Sequence, residues 1–418
     1  MTEFLSLIGL FKMVDASVPD GVLEKLHTMV NNGDIAQIKM TLRRFSKEVS
    51  SKLVNTLSVV HIPGSYDTAV QSTLLLMACR HGHFNIACLF VKDYGANIHL
   101  CGSVMFDNEV IEGSPPIWVA AAAGHKGIVE MLLNSGASVN ATTKSNSTPL
   151  RAACYDGHLE IVELLVNHGA DIEIANRHGH TSLMIACYRG HIKVVTYLLG
   201  KGALVNRSSH KGNTALHDCA EAGHVEIIKL LLQYKAEMKP DDNRVTPIIA
   251  AALSMHLDVV VLLSKDAAGN YTEEGCDAME LLGATMICKH SNLSAGIRHW
   301  RHALLMRNAN NGLRKNVENV KPCPAYDNIQ EFTSISDLDA LSVEPSVVHI
   351  TALLIYERVL GYHLDTFYYI RYRGAVLADG GDYMRCLMLW LRALDLQTSK
   401  LDPLCVLTQS MFFSQSLN

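Results

Sequence analysis

The sequence carries no surplus of positive charge: 36 Lys and Arg stand against 41 Asp and Glu, for a formal net charge of -5. Nucleic-acid binding draws on clustered basic residues that displace phosphate counterions, so nucleic acid is excluded as the main partner. Nor is there a run near the ~20 apolar residues that a membrane span requires. The apolar start Met1–Phe11 lacks a basic flank and a small-residue cleavage site, so it does not read as a signal peptide. The 11 cysteines contain no C-x-x-C pair and no zinc spacing, which argues for small buried hydrophobes in a reducing compartment rather than a disulfide framework. A cytoplasmic protein is expected, with the nucleus as the second compartment. Catalytic signatures are missing too: there is no Gly-rich phosphate loop, no H-E-x-x-H and no G-x-S-x-G. These absences imply a non-enzyme without cofactor or metal, whose work is recognition.

What the sequence does have is a period. Ser147-Thr148-Pro149-Leu150, His180-Thr181-Ser182-Leu183 and Asn213-Thr214-Ala215-Leu216-His217 repeat one pattern at an even interval, and Thr246-Pro247 continues it. Each of the first three is followed by a Gly-His pair: Gly157-His158, Gly190-His191 and Gly223-His224. Pro116 with Gly124-His125, and Thr73 with Gly82-His83, extend the series to six, and His27–Phe45 reads as a partial capping unit. A fixed period of about 33 residues is the signature of ankyrin repeats. Thr-Pro opens the first helix of each unit, where a missing N–H costs nothing. The glycine before histidine leaves that helix in a left-handed conformation. Ile161, Val162, Leu164 and Leu165 supply the buried stripe of a second helix, which ends at Gly169-Ala170-Asp171. One unit cannot bury its own apolar face, so the units must stack.

Two departures stand out. Met255-His256 occupies the Gly-His position of the last unit, so its turn is either strained or rebuilt and this unit is expected to be the loosest. Between the first two units the interval from Leu74 to Pro116 exceeds the period, with the extra residues around Gly102–Glu109. Such an insertion makes either a longer finger on the binding face or a tolerated surface loop.

Beyond position 270 the period changes. Glu280–Ala284 with Trp300, Ala303 and Leu304, and Gly374 with Trp390, Ala393 and Leu394, read as helix pairs closed by small residues, as in tetratricopeptide units. The expected chain is therefore all-α, an ankyrin-repeat solenoid followed by tetratricopeptide-like helical hairpins. Its expected parts are an unassigned extension over 1–25, an ankyrin array over 26–266 with six repeats, an N-terminal cap and an inserted finger near 100–113, a hairpin over 275–310, a polar linker over 311–345, a second hairpin over 346–404 and a divergent tail over 405–418.

The 20 histidines invite a metal reading, with His81-Gly82-His83 and His178-Gly179-His180 as the nearest pairs. Yet His83, His125, His158, His191 and His224 recur once per repeat instead of clustering, which favours hydrogen bonds between neighbouring loops. A ligand would meet the residues at the end of each first helix: Tyr155 and Asp156, Tyr188 and Arg189, Glu221 and Ala222. The finger adds Phe106, Asp107 and Glu109. Asp107 and Asp156 are placed to share one guanidinium, and Arg151 to meet a carboxylate on the same ligand, which describes a peptide with a basic side chain and a free C-terminus. The alternative is that these charges form internal or solvated ion pairs.

The strings Gly102-Ser103-Val104 with Phe106-Asp107, Pro115-Pro116-Ile117-Trp118, and Asn146 through His158 resemble the feminization (Fem) family of ankyrin proteins. So do Asn176–Thr181, Lys211–Glu221, Glu280–Thr285 and Tyr368–Val376. The resemblance covers most of the range 72–404; the range 1–25 and His61–Val70 stand outside it. It implies a substrate receptor of cullin–RING ubiquitin ligases that reads C-terminal degrons ending in arginine. It implies further that Asp107 and Asp156 hold the arginine side chain, that Ser147 and Arg151 take the carboxylate, and that Phe106, Trp118 and Tyr155 line the walls, with Lys211 and His217 flanking. Elongin and cullin-two are the family's expected partners. Their docking box is absent from this sequence, which reads either as a C-terminally truncated member or as an isoform that binds degrons without joining a ligase. Asn108 stands where the family's finger has glycine, and Tyr155 where phenylalanine is common. A scaffold that holds a signalling partner without any link to degradation is the competing reading.

Overall fold

The computed structural model describes residues 21–61, 69–309 and 322–400. Expectations for 1–20, for the 62–68 part of the stretch foreign to the family, for 310–321 and for the segment 401–418 lie outside the described residues. The chain divides between His210 and Lys211 into two compact units, both built mainly of helices as an all-α repeat chain requires. Among the described residues no helix is long and apolar enough to cross a membrane.

The first unit contains α1 (Val22–Asn31), α2 (Ile35–Leu42), α3 (Lys47–Val54), β1 (Ser58–His61), β2 (Ala69–Ser72), α4 (Leu74–His81), α5 (Phe84–Lys92), β3 (Gly102–Phe106), β4 (Glu109–Ser114), α6 (Pro116–Ala122), α7 (Lys126–Asn134), α8 (Pro149–Asp156), α9 (Leu159–Asn167), α10 (Ser182–Tyr188) and α11 (Ile192–Gly200). Helices this short do not persist alone, so their stability comes from stacking. Leu150, Ala153 and Cys154 on α8, and Ile161, Val162 and Leu165 on α9, are each at most 2% exposed. The capping signals act as expected. The Thr148 hydroxyl accepts from the Arg151 N–H at 3.1 Å ahead of Pro149, and Thr181 from the Met184 N–H at 3.3 Å. Helix begins slightly earlier than expected: α1 starts at Val22, inside the stretch assigned to the extension.

The Gly-His pair has a concrete geometry. Gly82, Gly124, Gly157 and Gly223 take φ between +74° and +80°, and a Cβ on any of them would fall within 2.4–2.7 Å of the next repeat's His ring. That ring in turn reaches back: Nε2 of His191 donates to the Tyr155 carbonyl at 2.9 Å, and Nε2 of His125 to the Arg80 carbonyl at 3.2 Å. Absence of a side chain on one repeat is thus the seat for the histidine of the next. Cys79, Cys154, Cys187 and Cys219 are buried, as the repeat register implies.

Sheet enters this otherwise helical fold as two antiparallel hairpins, β1–β2 and β3–β4. The second is the inserted finger. Phe106 pairs with Glu109, which leaves Asp107-Asn108 as the turn, with φ of 48° and 63°. Positive φ at both positions is what a twist-compatible type I′ hairpin requires, and Asn tolerates it in place of glycine. At the base of β4, Gly113 takes φ +66°, and a Cβ there would meet Lys144 at 2.8 Å. The Lys144 N–H donates to the Glu112 carbonyl at 3.0 Å, and its ammonium meets the Glu112 carboxylate at 2.7 Å. The finger therefore leans on the loop that opens the following repeat.

The second unit contains α12 (Ala215–Ala222), α13 (Val225–Gln233), α14 (Pro247–Leu253), α15 (Leu257–Leu263), α16 (Glu273–His290), α17 (Leu293–Ala309), a 3-10 turn at Pro324–Tyr326, α18 (Ile335–Leu341), α19 (Pro345–Leu360), α20 (Leu364–Asp379) and α21 (Tyr383–Lys400). The last Gly-His turn is retained rather than rebuilt. Met255 adopts φ 63°, and His256 still seats against Gly223, so the strain falls on the methionine backbone. Two hairpins close around small residues. Gly283 lets Trp300 in, whose indole donates to the Glu280 carbonyl at 2.9 Å, and Gly374 admits Trp390, whose indole donates to the Arg371 carbonyl at 3.0 Å.

The stretch 311–345 is not simply a polar linker. Its described part buries Tyr326, Phe332 and Leu338 to 1% exposure or less. Glu331 there pairs with Arg358, which also binds Asp277 at 2.7 Å and Glu280. Sparse apolar residues among polar ones hid these anchors. The described part of the range 346–404 likewise holds three helices rather than a pair, because α19 packs on α16 before the α20–α21 hairpin begins.

Candidate functional site

Within the first unit, the finger, α6, α8 and the loop preceding α10 enclose a cavity of about 660 Å³. Seven of the expected residues line it: Phe106, Asp107, Trp118, Ser147, Arg151, Tyr155 and Asp156. The local reasons are readable. Trp118 sits in the first turn of α6, 7% exposed, and its indole donates to the Ser147 hydroxyl at 3.2 Å. Phe106 meets Trp118 edge to face, with ring centroids 5.8 Å apart. Arg151, one helical turn beyond Ser147, brings its guanidinium to the same hydroxyl at 3.5 Å. One corner of the cavity thus presents a hydroxyl and a guanidinium beside an aromatic wall.

Two acids belong to the same lining. Asp107 projects from the turn of the finger, and Asp156 ends α8; both are exposed. Asp156 is still more than a third exposed, and its partial burial pushes the carboxyl above the ordinary carboxylate range; the nearby Asp107 charge pushes the same way, against His158, Arg189 and His191. The two carboxylates therefore feel one another's charge. Arg189 offers partial compensation: it stacks 4.3 Å from the Tyr155 ring centroid, donates to the Tyr155 carbonyl at 3.2 Å and stands 4.0 Å from the Asp156 carboxylate. At that distance and exposure the pair is a weak one.

Lys211 and His217 belong to the second unit, and neither is part of this lining. Lys211 is exposed. His217 is 1% exposed and both its ring nitrogens are engaged: Nδ1 accepts from the Thr214 N–H at 3.1 Å, while Nε2 donates to the Val245 carbonyl at 3.0 Å. Burial lowers its pKa and keeps the ring neutral. Its ring ties α12 to the next repeat.

Sequence reasoning missed Lys144, Arg177 and His178 in the cavity wall, and Arg80 behind the finger. For Arg177 the signal was the period itself, since it stands one repeat after Lys144 on the equivalent loop. Among the described residues no group of three or more His, Cys, Asp or Glu is arranged to hold a metal ion.

A stack of short helix pairs with Gly-His seats, carrying an open, two-signed cavity, defines a repeat protein built for binding. The family model for ankyrin repeats matches residues 26–143, 117–209 and 204–273, and the chain belongs to that family. A fem-1 homolog from Drosophila melanogaster is 52% identical over 385 residues, covering 92% of this chain. The human fem-1 homolog C is 53% identical over 349 residues, 82% of this chain, and the mouse fem-1 homolog A-A is 46% identical over 386 residues, 83% of it. Within the ankyrin proteins, this is a Fem-family chain. It spans 56% of the length of the first two relatives and 59% of the third.

Proposed function

We propose that the cavity captures the C-terminus of a protein ending in arginine, and that the chain acts as the non-catalytic substrate-recognition component of a cullin–RING ubiquitin ligase. The observation that carries this reading is the charge of the lining: one cavity is lined by Asp107 and Asp156, whose charges feel one another, and by Arg151, whose guanidinium stands at the Ser147 hydroxyl. A terminal arginine offers the complement at both ends of one residue. Its guanidinium would bridge the two carboxylates, and its α-carboxylate would meet the Arg151 guanidinium and the Ser147 hydroxyl. Trp118, Phe106 and Tyr155 would cover the aliphatic stem. Pairing with the ligand would relieve the Asp107–Asp156 repulsion, which favours a cation at that corner.

The test is direct. Peptides ending in arginine, as free acid and as amide, are compared by fluorescence anisotropy. Loss of a charge-assisted bond worth about 1.5–3 kcal/mol corresponds to roughly 10- to 150-fold weaker binding of the amide. Equal binding of the two forms would remove the C-terminal reading. Ligase membership is tested separately by recovery of elongin and cullin-two with the chain from cells. A peptide-binding chain that recovers neither acts as a scaffold instead.

A further inference from the structure

Behind the finger, on α4, stands a cation that the cavity does not explain. Arg80 is half-buried, and its guanidinium carbon lies 4.8 Å from the centroid of the Phe106 ring. Its Nη1 is buried without a hydrogen-bond partner among the described residues. A side chain this long would hydrate that nitrogen by swinging outward, so keeping it inside sets a cost against what the aromatic face returns. Burial also lowers the guanidinium pKa. The root of the side chain is fixed, because the Arg80 carbonyl accepts from His125 Nε2 at 3.2 Å.

From this geometry we infer that Arg80 is a positioning residue for ligand recognition, which clamps Phe106 against Trp118 and so sets where Asp107 stands. Phe106 is the last residue of β3 and precedes Asp107 directly in the turn. Holding the ring between the Arg80 cation and the Trp118 edge therefore fixes the acidic side chain that the finger's turn supplies. Asp156 sits on α8 and needs no such help. Without the clamp, the hairpin tip is held by its own strand pairing and by the Lys144 contact at its base. The inference rests on the proposed capture of a terminal arginine.

The test compares Arg80→Met, which keeps an apolar stem, with Arg80→Lys, which keeps a cation. Two affinity ratios are measured on the full chain. Arginine against its neutral isostere citrulline at the peptide terminus reads the acidic corner; free acid against amide reads the Ser147–Arg151 corner. The arginine-to-citrulline ratio should fall roughly two- to fivefold in Arg80→Met, the size of one cation–π contact, with partial recovery in Arg80→Lys. The acid-to-amide ratio should stay at the wild-type value. In the ligand-free protein, amide exchange at Phe106 and Glu109 should quicken while that of α8 does not change. An equal fall in both ratios would mark Arg80 as merely structural and overturn the inference. So would unchanged exchange together with unchanged discrimination. A wild-type chain that binds arginine and citrulline peptides equally would defeat the proposed function itself, and this inference with it.

Discussion

Trp118 and Ser147, from two consecutive repeats, are joined by an indole-to-hydroxyl hydrogen bond of 3.2 Å. The bond orients the hydroxyl that Arg151 also reaches, and it puts the aromatic wall and the anion-binding corner of the cavity in fixed register. Consequences for stability and for binding follow from the same contact.

Ser147→Ala should leave the Trp118 N–H unpaired in a buried position. The expected cost is about 1–3 kcal/mol, read as a lower midpoint in urea, together with weaker binding of free-acid peptides. Trp118→Phe removes the indole donor itself and should lose less through hydrogen bonding, because no buried donor is then orphaned.

Affinity for a peptide ending in arginine should depend on pH through Asp156. Its carboxyl titrates above the ordinary carboxylate range, chiefly through burial. Binding should therefore be complete above that raised pKa and decline as pH falls through it, earlier in an acid titration than an ordinary aspartate would produce. For the free protein the sign is opposite. A carboxyl whose folded pKa is raised binds its proton more tightly when folded, so ionised Asp156 destabilises the chain at neutral pH. Asp156→Asn should raise the melting temperature slightly at pH 7, the gain vanishing in acid, and should remove the part of the pH-dependence of binding that Asp156 contributes.

Gly157→Ala and Gly169→Ala separate strain from collision. Both glycines have left-handed φ, +74° and +82°, but a Cβ at Gly157 would strike the His191 ring at 2.5 Å whereas Gly169 faces open space. The second substitution should cost only the backbone term of about 1–2 kcal/mol. The first should cost that and more, because the histidine seat between repeats is filled. Thermal denaturation of the two variants reads the difference.

In the second unit, Glu280 is fully buried between Arg307 and Arg358. Glu280→Ala should destabilise that unit by at most about 3–5 kcal/mol, since it removes one buried carboxylate from Arg307 and Arg358 and leaves Asp277 and Glu331 as their remaining partners. Glu112→Ala, which breaks the exposed contact with Lys144, should leave the denaturation midpoint nearly unchanged. Chemical denaturation of the two variants distinguishes a buried network from a surface pair.

Much of the fold was legible in the sequence. The Thr, Pro, Gly and His positions of each repeat are local demands of capping and turning, and they are met at Thr148, Pro149 and Gly157 as expected. Their places along one first helix singled out Arg151, Tyr155 and Asp156, and the family resemblance added Ser147; all four line one cavity. What sequence could not supply was contact across repeats. Asp107-Asn108 does not announce a hairpin turn without its partner strand, and Arg80 belongs to the helix of the preceding repeat. The bond from His217 to the Val245 carbonyl is of the same kind, since it reaches into the next repeat. In the stretch 311–345, Tyr326, Phe332 and Leu338 are too widely spaced to show a period, yet each is buried.

The most direct test is calorimetric titration of the wild-type chain and of Asp156→Lys with one free-acid peptide ending in arginine. The account predicts saturable one-to-one binding by the wild type and none by the variant, whose lysine would repel the guanidinium while the Ser147–Arg151 corner remained in place. Binding of equal strength by both proteins would contradict it.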